Sequence, residues 1–71
     1  MNPIKQIIDH YKFEPFDLVT RDAIKYNIMK LGIEGLVEVG LELKDDDILV
    51  VHPLFDTQEN YMWFCLRYGS I

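Results

Sequence analysis

Leu36-Val37-Glu38-Val39-Gly40-Leu41-Glu42-Leu43, followed by Lys44-Asp45-Asp46-Asp47 and then Ile48 to Phe55, decides how this chain is read. In the first run Val37, Val39, Leu41 and Leu43 alternate with Glu38, Gly40 and Glu42, the pattern of a strand with one buried and one wet face. The three aspartates suit a hairpin turn, because aspartate tolerates turn conformations. Ile48-Leu49-Val50-Val51 continues as an apolar, β-branched run. A polar break, Asp56-Thr57-Gln58-Glu59-Asn60, leads into Tyr61-Met62-Trp63-Phe64-Cys65-Leu66-Arg67-Tyr68. Read as a third strand, that last run completes an antiparallel meander. Pro53 lacks a ladder N–H, so the second strand is expected to end near His52, with Pro53 to Asp56 beginning the turn.

Upstream, the spacing predicts two helices. Asn2-Pro3 pairs a capping side chain with proline at the first helical position. Ile4, Ile7, Ile8 and Tyr11 then fall at i, i+3, i+4 and i+7, one helical face. This helix must stop before Pro15, with Phe13 and Phe16 expected to plug the core edge. A second helix is expected from about Thr20 to Leu31, capped by Thr20 or by Asp17. Ile24, Ile28 and Leu31 form its inner stripe, and Gly32 supplies a left-handed residue after it. The fold class expected is therefore α+β: a single domain over residues 1–71, with two N-terminal helices packed on one face of a three-stranded antiparallel sheet. Two helices cover only one sheet face, and the second and third runs are apolar on both. The open face is then a binding patch, with Tyr61 and Trp63 as its aromatic anchors.

A chain of 71 residues buries only about 60% of its unfolded surface. The single cysteine, Cys65, excludes an internal disulfide and a multi-cysteine zinc site, which leaves a partner subunit as the natural aid to stability. No apolar run reaches the ~20 residues of a membrane span, and the first residues do not follow a signal-peptide pattern, so the expected setting is cytoplasmic. Charge is unevenly spread. Residues 1–33 are nearly balanced, whereas residues 34–60 carry Glu34, Glu38, Glu42, Asp45, Asp46, Asp47, Asp56 and Glu59 against Lys44 alone, a net −7. Such a segment repels phosphate backbones.

Chemistry-bearing motifs are sparse. A calcium loop needs acidic groups at alternating positions, a glycine and a distant glutamate, whereas Asp45, Asp46 and Asp47 are adjacent. His10 and His52 could serve Cys65 as a base, but Cys65 lies inside an aromatic strand, where a buried inert thiol is the commoner case, and His10 suits the C-terminal end of the first helix. The glycines fit no nucleotide loop, and Ser70 is the only serine. These observations argue against an enzyme, a cofactor or a bound metal.

One local resemblance stands beside this reading. Val19 to Leu31, with Glu34-Gly35-Leu36-Val37 after it, is similar to the recognition helix and wing start of GntR-type winged-helix regulators. Those share a valine-serine-arginine start, a leucine-spaced helix and a glutamate-glycine-leucine exit into a β-hairpin. The resemblance covers about a quarter of the chain and implies Thr20, Arg21 and Lys25 on DNA. Lys12 to Leu18 does not match the preceding helix and turn, and the wing would carry aspartates instead of basic residues.

Together these features predict a small acidic, non-catalytic protein-interaction module. It is expected to act as an inhibitor or accessory factor of the phage type, docking on a larger, basic, nucleic-acid-handling protein or on a second copy of itself as a homodimer. Glu38, Glu42, Asp45, Asp46 and Asp47 would steer the partner, and Tyr61 and Trp63 would anchor it. The alternative is a winged-helix DNA-binding transcriptional regulator.

Overall fold

The structure is a computed structural model, and it describes residues 2–45 and 48–69. Its elements run α1 (Pro3–His10), α2 (Leu18–Met29), β1 (Leu36–Leu43), β2 (Leu49–Phe55) and α3 (Gln58–Tyr68). The architecture is α+β, but the three-stranded meander is corrected to three helices and one two-stranded antiparallel hairpin.

The correction lies in the third run. Thr57 takes an extended backbone and its hydroxyl accepts the Asn60 N–H at 3.1 Å, an N-cap. Glu59 sits in the first turn and Arg67 in the last, each favourable to the helix dipole. Gly69, at φ +73, closes the end. Within the run Tyr61, Phe64, Cys65 and Tyr68 stand at i, i+3, i+4 and i+7, so the aromatic stretch satisfies a helical stripe as well as a strand. Phe64 is buried, its ring 5.0 Å from Phe55 on β2 and 5.1 Å from Tyr68. That contact docks α3 on the hairpin.

The first helix starts as the sequence suggests. Asn2 Oδ1 accepts the N–H groups of Ile4 and Lys5 at 3.0 and 3.4 Å. It ends at His10, well before Pro15, and Phe13 is 90% exposed and plugs nothing. Helix α2 begins and ends two residues earlier than expected, because Asp17 and not Thr20 is the cap; Asp17 Oδ1 accepts the Thr20 N–H at 2.9 Å. Ile24 and Ile28 face inward as read, whereas Leu31 lies past the helix end and is exposed.

In the hairpin Val39 pairs with Pro53, Leu41 with Val51 and Leu43 with Leu49. Lys44 N–H donates to the Ile48 carbonyl at 2.9 Å, which makes the 44/48 pair hydrogen-bonded. Counting along the alternation, 42/50 and 40/52 are hydrogen-bonded pairs and 39/53 is not. Pro53 therefore sits where its ring nitrogen points away from β1, and β2 runs through it to Phe55 instead of ending at His52. The register shifts between Leu36 and Glu38, leaving Val37 without a partner, a β-bulge.

One face of the hairpin meets the helices. Ile4, Ile24, Ile28, Val39, Val51 and Phe64 form the buried core, so every element contributes to it. Gly35, at φ +79, ties the loop before β1 to the start of α3. Its carbonyl accepts the Asp56 N–H at 2.9 Å, and a Cβ there would lie 2.5 Å from Asn60 Nδ2 and 2.6 Å from Asp56 Oδ1.

Candidate functional site

The face of the hairpin turned away from the helices carries Val37, Glu38, Gly40 and Glu42 from β1 and Val50, His52 and Leu54 from β2. Strand alternation puts Glu38 and Glu42 on this side together, and both are exposed. Val37 and Leu54 are each 56% exposed beside them, because the bulge at Val37 keeps two successive residues on the outer face opposite Leu54. The result is a strip of carboxylates over an apolar bed. Glu42 is held in place: its Oε1 lies 3.0 Å from His52 Nε2 and 4.0 Å from Lys44 Nζ. The hydrogen bond to His52, and then the Lys44 charge, keep the Glu42 carboxyl below its ordinary value. Asp45 is exposed at the hairpin tip. Asp46 and Asp47, grouped with it in the sequence reading, lie outside the described residues.

The aromatic pair is not brought to that strip. As strand residues Tyr61 and Trp63 would share a face, but two positions along a helix separates them by roughly 200°. Tyr61 leans toward β2, its ring 5.8 Å from Phe55. Hydrogen bonding with the Cys65 side chain one turn on pushes the Tyr61 phenol above its ordinary value. Trp63 points outward and is 62% exposed, with Met62 at 57% and Leu66 at 77%. The structure thus splits the expected partner-binding set, with Glu38 and Glu42 on the outer hairpin face, Trp63 on the outward side of α3 and Tyr61 beside β2. The sequence reading missed the outward row on α3, whose signal is Glu59, Met62, Trp63 and Leu66 at i, i+3, i+4 and i+7.

The outward row of α2 is Val19, Asp22, Tyr26 and Met29, all exposed. Thr20, Arg21 and Lys25, placed on DNA by the winged-helix resemblance, are half-buried on its flanks. Arg21 Nε is enclosed without a hydrogen-bond partner, 3.8 Å from Asp22 Oδ1. Among the described residues no group of three or more His, Cys, Asp and Glu side chains is placed to hold a metal ion, and no helix is long and apolar enough to cross a membrane. No family model, curated protein or solved structure matches this chain, so the resemblance over residues 19–37 stands on those residues alone.

Proposed function

We propose that this chain is a non-catalytic protein-interaction module, working in the cytoplasm, that docks a basic partner on the uncovered face of its hairpin. The observation that carries the reading is the pairing of Glu38 and Glu42 with the exposed Val37 and Leu54 on one strip. Apolar groups supply contact area, and carboxylates around them steer a basic surface and set its register. His52 and Lys44 lie 3.0 and 4.0 Å from the Glu42 carboxylate, which remains exposed to a partner. An inhibitor or accessory factor acting on a basic, nucleic-acid-handling protein would work in this way. A pull-down from its native cell extract, read by mass spectrometry, tests the proposal. A basic protein should be retained by the wild-type chain and lost with Glu38→Lys and Glu42→Lys combined, with the variant shown to be folded by circular dichroism. Equal retention by the variant would sink the reading.

A second reading is supported by the order of elements, since α2 leads directly into a two-stranded hairpin, as a winged helix requires. On that reading the chain binds duplex DNA through Arg21 and Lys25. Salt-dependent mobility shifts abolished by Arg21→Ala and Lys25→Ala would favour it over protein docking.

A further inference from the structure

Helix α3 turns a row of Glu59, Met62, Trp63 and Leu66 to solvent, with Arg67 one turn beyond Trp63. This row has a symmetry of its own. Glu59 stands four residues before Trp63 and Arg67 four after it, so the i, i+4, i+8 line reads acid, tryptophan, base. Rotated end for end about Trp63, the line lays acid on base at both ends, roughly 12 Å apart along the helix.

We propose that α3 pairs antiparallel with the same helix of a second copy of this chain, forming a two-fold dimer. Met62 packs on Trp63 of the partner subunit, a sulfur–aromatic contact. Glu59 meets the partner subunit's Arg67, and the two-fold repeats both contacts. Among the described residues neither Glu59 nor Arg67 is committed to an ion pair. The Arg67 guanidinium rests 5.8 Å from the Tyr68 ring centroid, a contact that leaves its donors free. A groove of ≈ 590 Å³ runs beside the row, lined by Glu34, Glu59, Asn60, Trp63, Leu66 and Arg67, and gives a facing side chain somewhere to lie.

Surface area points the same way. The chain exposes 5398 Å² at a mass of 8.4 kDa. A folded monomer of that mass exposes about 4,600 Å². The chain therefore leaves more of its surface uncovered than a monomer of its mass does. On α2 Asp22, Tyr26 and Lys30 repeat the order acid, aromatic, base, but there the acid already lies 3.8 Å from Arg21 Nε, whereas Glu59 has no ion-pair partner among the described residues.

Sedimentation equilibrium of the full chain at low salt, across the micromolar range, is the test. The wild type should be a dimer, and Trp63→Ala should weaken it about thirtyfold, as loss of a central aromatic anchor does. Glu59→Arg and Arg67→Glu should each be monomeric, because each sets like charges against each other at both ends. Mixed in equal amounts, those two variants should recover a dimer, since the introduced charges are then complementary. Recovery also requires that both variants are folded. A wild type that stays monomeric, or a mixture that fails to dimerise, would overturn the proposal. Neither result bears on docking at the hairpin, which uses the other surface.

Discussion

Asn2 and Tyr68, 66 residues apart in sequence, are joined by a hydrogen bond from Asn2 Nδ2 to the Tyr68 carbonyl at 3.1 Å. The same side chain accepts the Ile4 and Lys5 N–H groups through Oδ1. One amide therefore answers orphan donors at the start of α1 and an orphan acceptor at the end of α3. Asn2→Ala should lose both and cost about 1–2 kcal/mol in urea unfolding. Asn2→Asp keeps the cap but removes the donor and sets a negative charge at the negative end of α3. It should therefore fall between the wild type and Asn2→Ala, and equality with the wild type would show that the Tyr68 contact contributes nothing.

The helical phase of α3 is open to a direct test. As strand neighbours Met62 and Phe64 would share a face and suffer alike on truncation. In the helix Phe64 is 5% exposed and Met62 57%. Phe64→Ala should cost about 3–5 kcal/mol, enough to unfold a domain of this size at ambient temperature, whereas Met62→Ala should stay within about 0.5 kcal/mol when measured on a monomeric background. Circular dichroism melts of the two variants decide it.

Gly35→Ala should destabilise the chain by about 1–3 kcal/mol. Its backbone has φ +79, and the added methyl would press on both Asn60 and Asp56. Gly32 has φ +70 but open space around it, so Gly32→Ala carries the backbone strain without the clash. The difference between the two variants in denaturant midpoint isolates the crowding.

Acid should weaken two specific contacts. Glu42 has its carboxyl lowered from 4.5 by the hydrogen bond to His52 and then by Lys44, and Asp17 is lowered from 3.8, first by the Thr20 backbone N–H. A carboxyl lowered on folding stabilises the folded state above its unfolded value, and that contribution is lost as pH falls through the folded value. The stability gap between wild type and Glu42→Gln should be constant above the unfolded carboxylate value and narrow as pH falls below it. Asp17→Asn should retain the α2 cap while losing its pH dependence. A gap that does not narrow on acidification would contradict the assignment.

Much of this fold could be read from local residues. Asn2-Pro3 marks α1, Asp17 is a capping residue one turn before Thr20, and alternation from Glu38 to Leu43 identifies β1 and pairs Glu38 with Glu42, although it placed Val37 on the buried face, where the bulge turns it outward. Helix α3 was hidden because a continuous apolar run fits a period of two and of 3.6 equally well. What separates them lies at its ends, in Thr57, Glu59, Arg67 and Gly69, but when a strand is assumed Thr57 and Glu59 read as turn residues and Arg67 as part of the strand. Pro53 could not be placed until the register was known, since its tolerance depends on which pairs are hydrogen-bonded. The division of Tyr61 from Trp63 follows from the same reading of α3.

A two-stranded sheet consists only of rims, and such rims invite strands from neighbouring molecules. Here neither rim is clean. Pro53 leaves a gap in the donors along the outer side of β2, and the bulge at Val37 kinks the outer side of β1. An incoming strand would lose its ladder partway along either side. Concentrating this protein should therefore not seed cross-β fibrils from the native hairpin, and backbone-mediated polymerisation becomes a route open only to the unfolded chain.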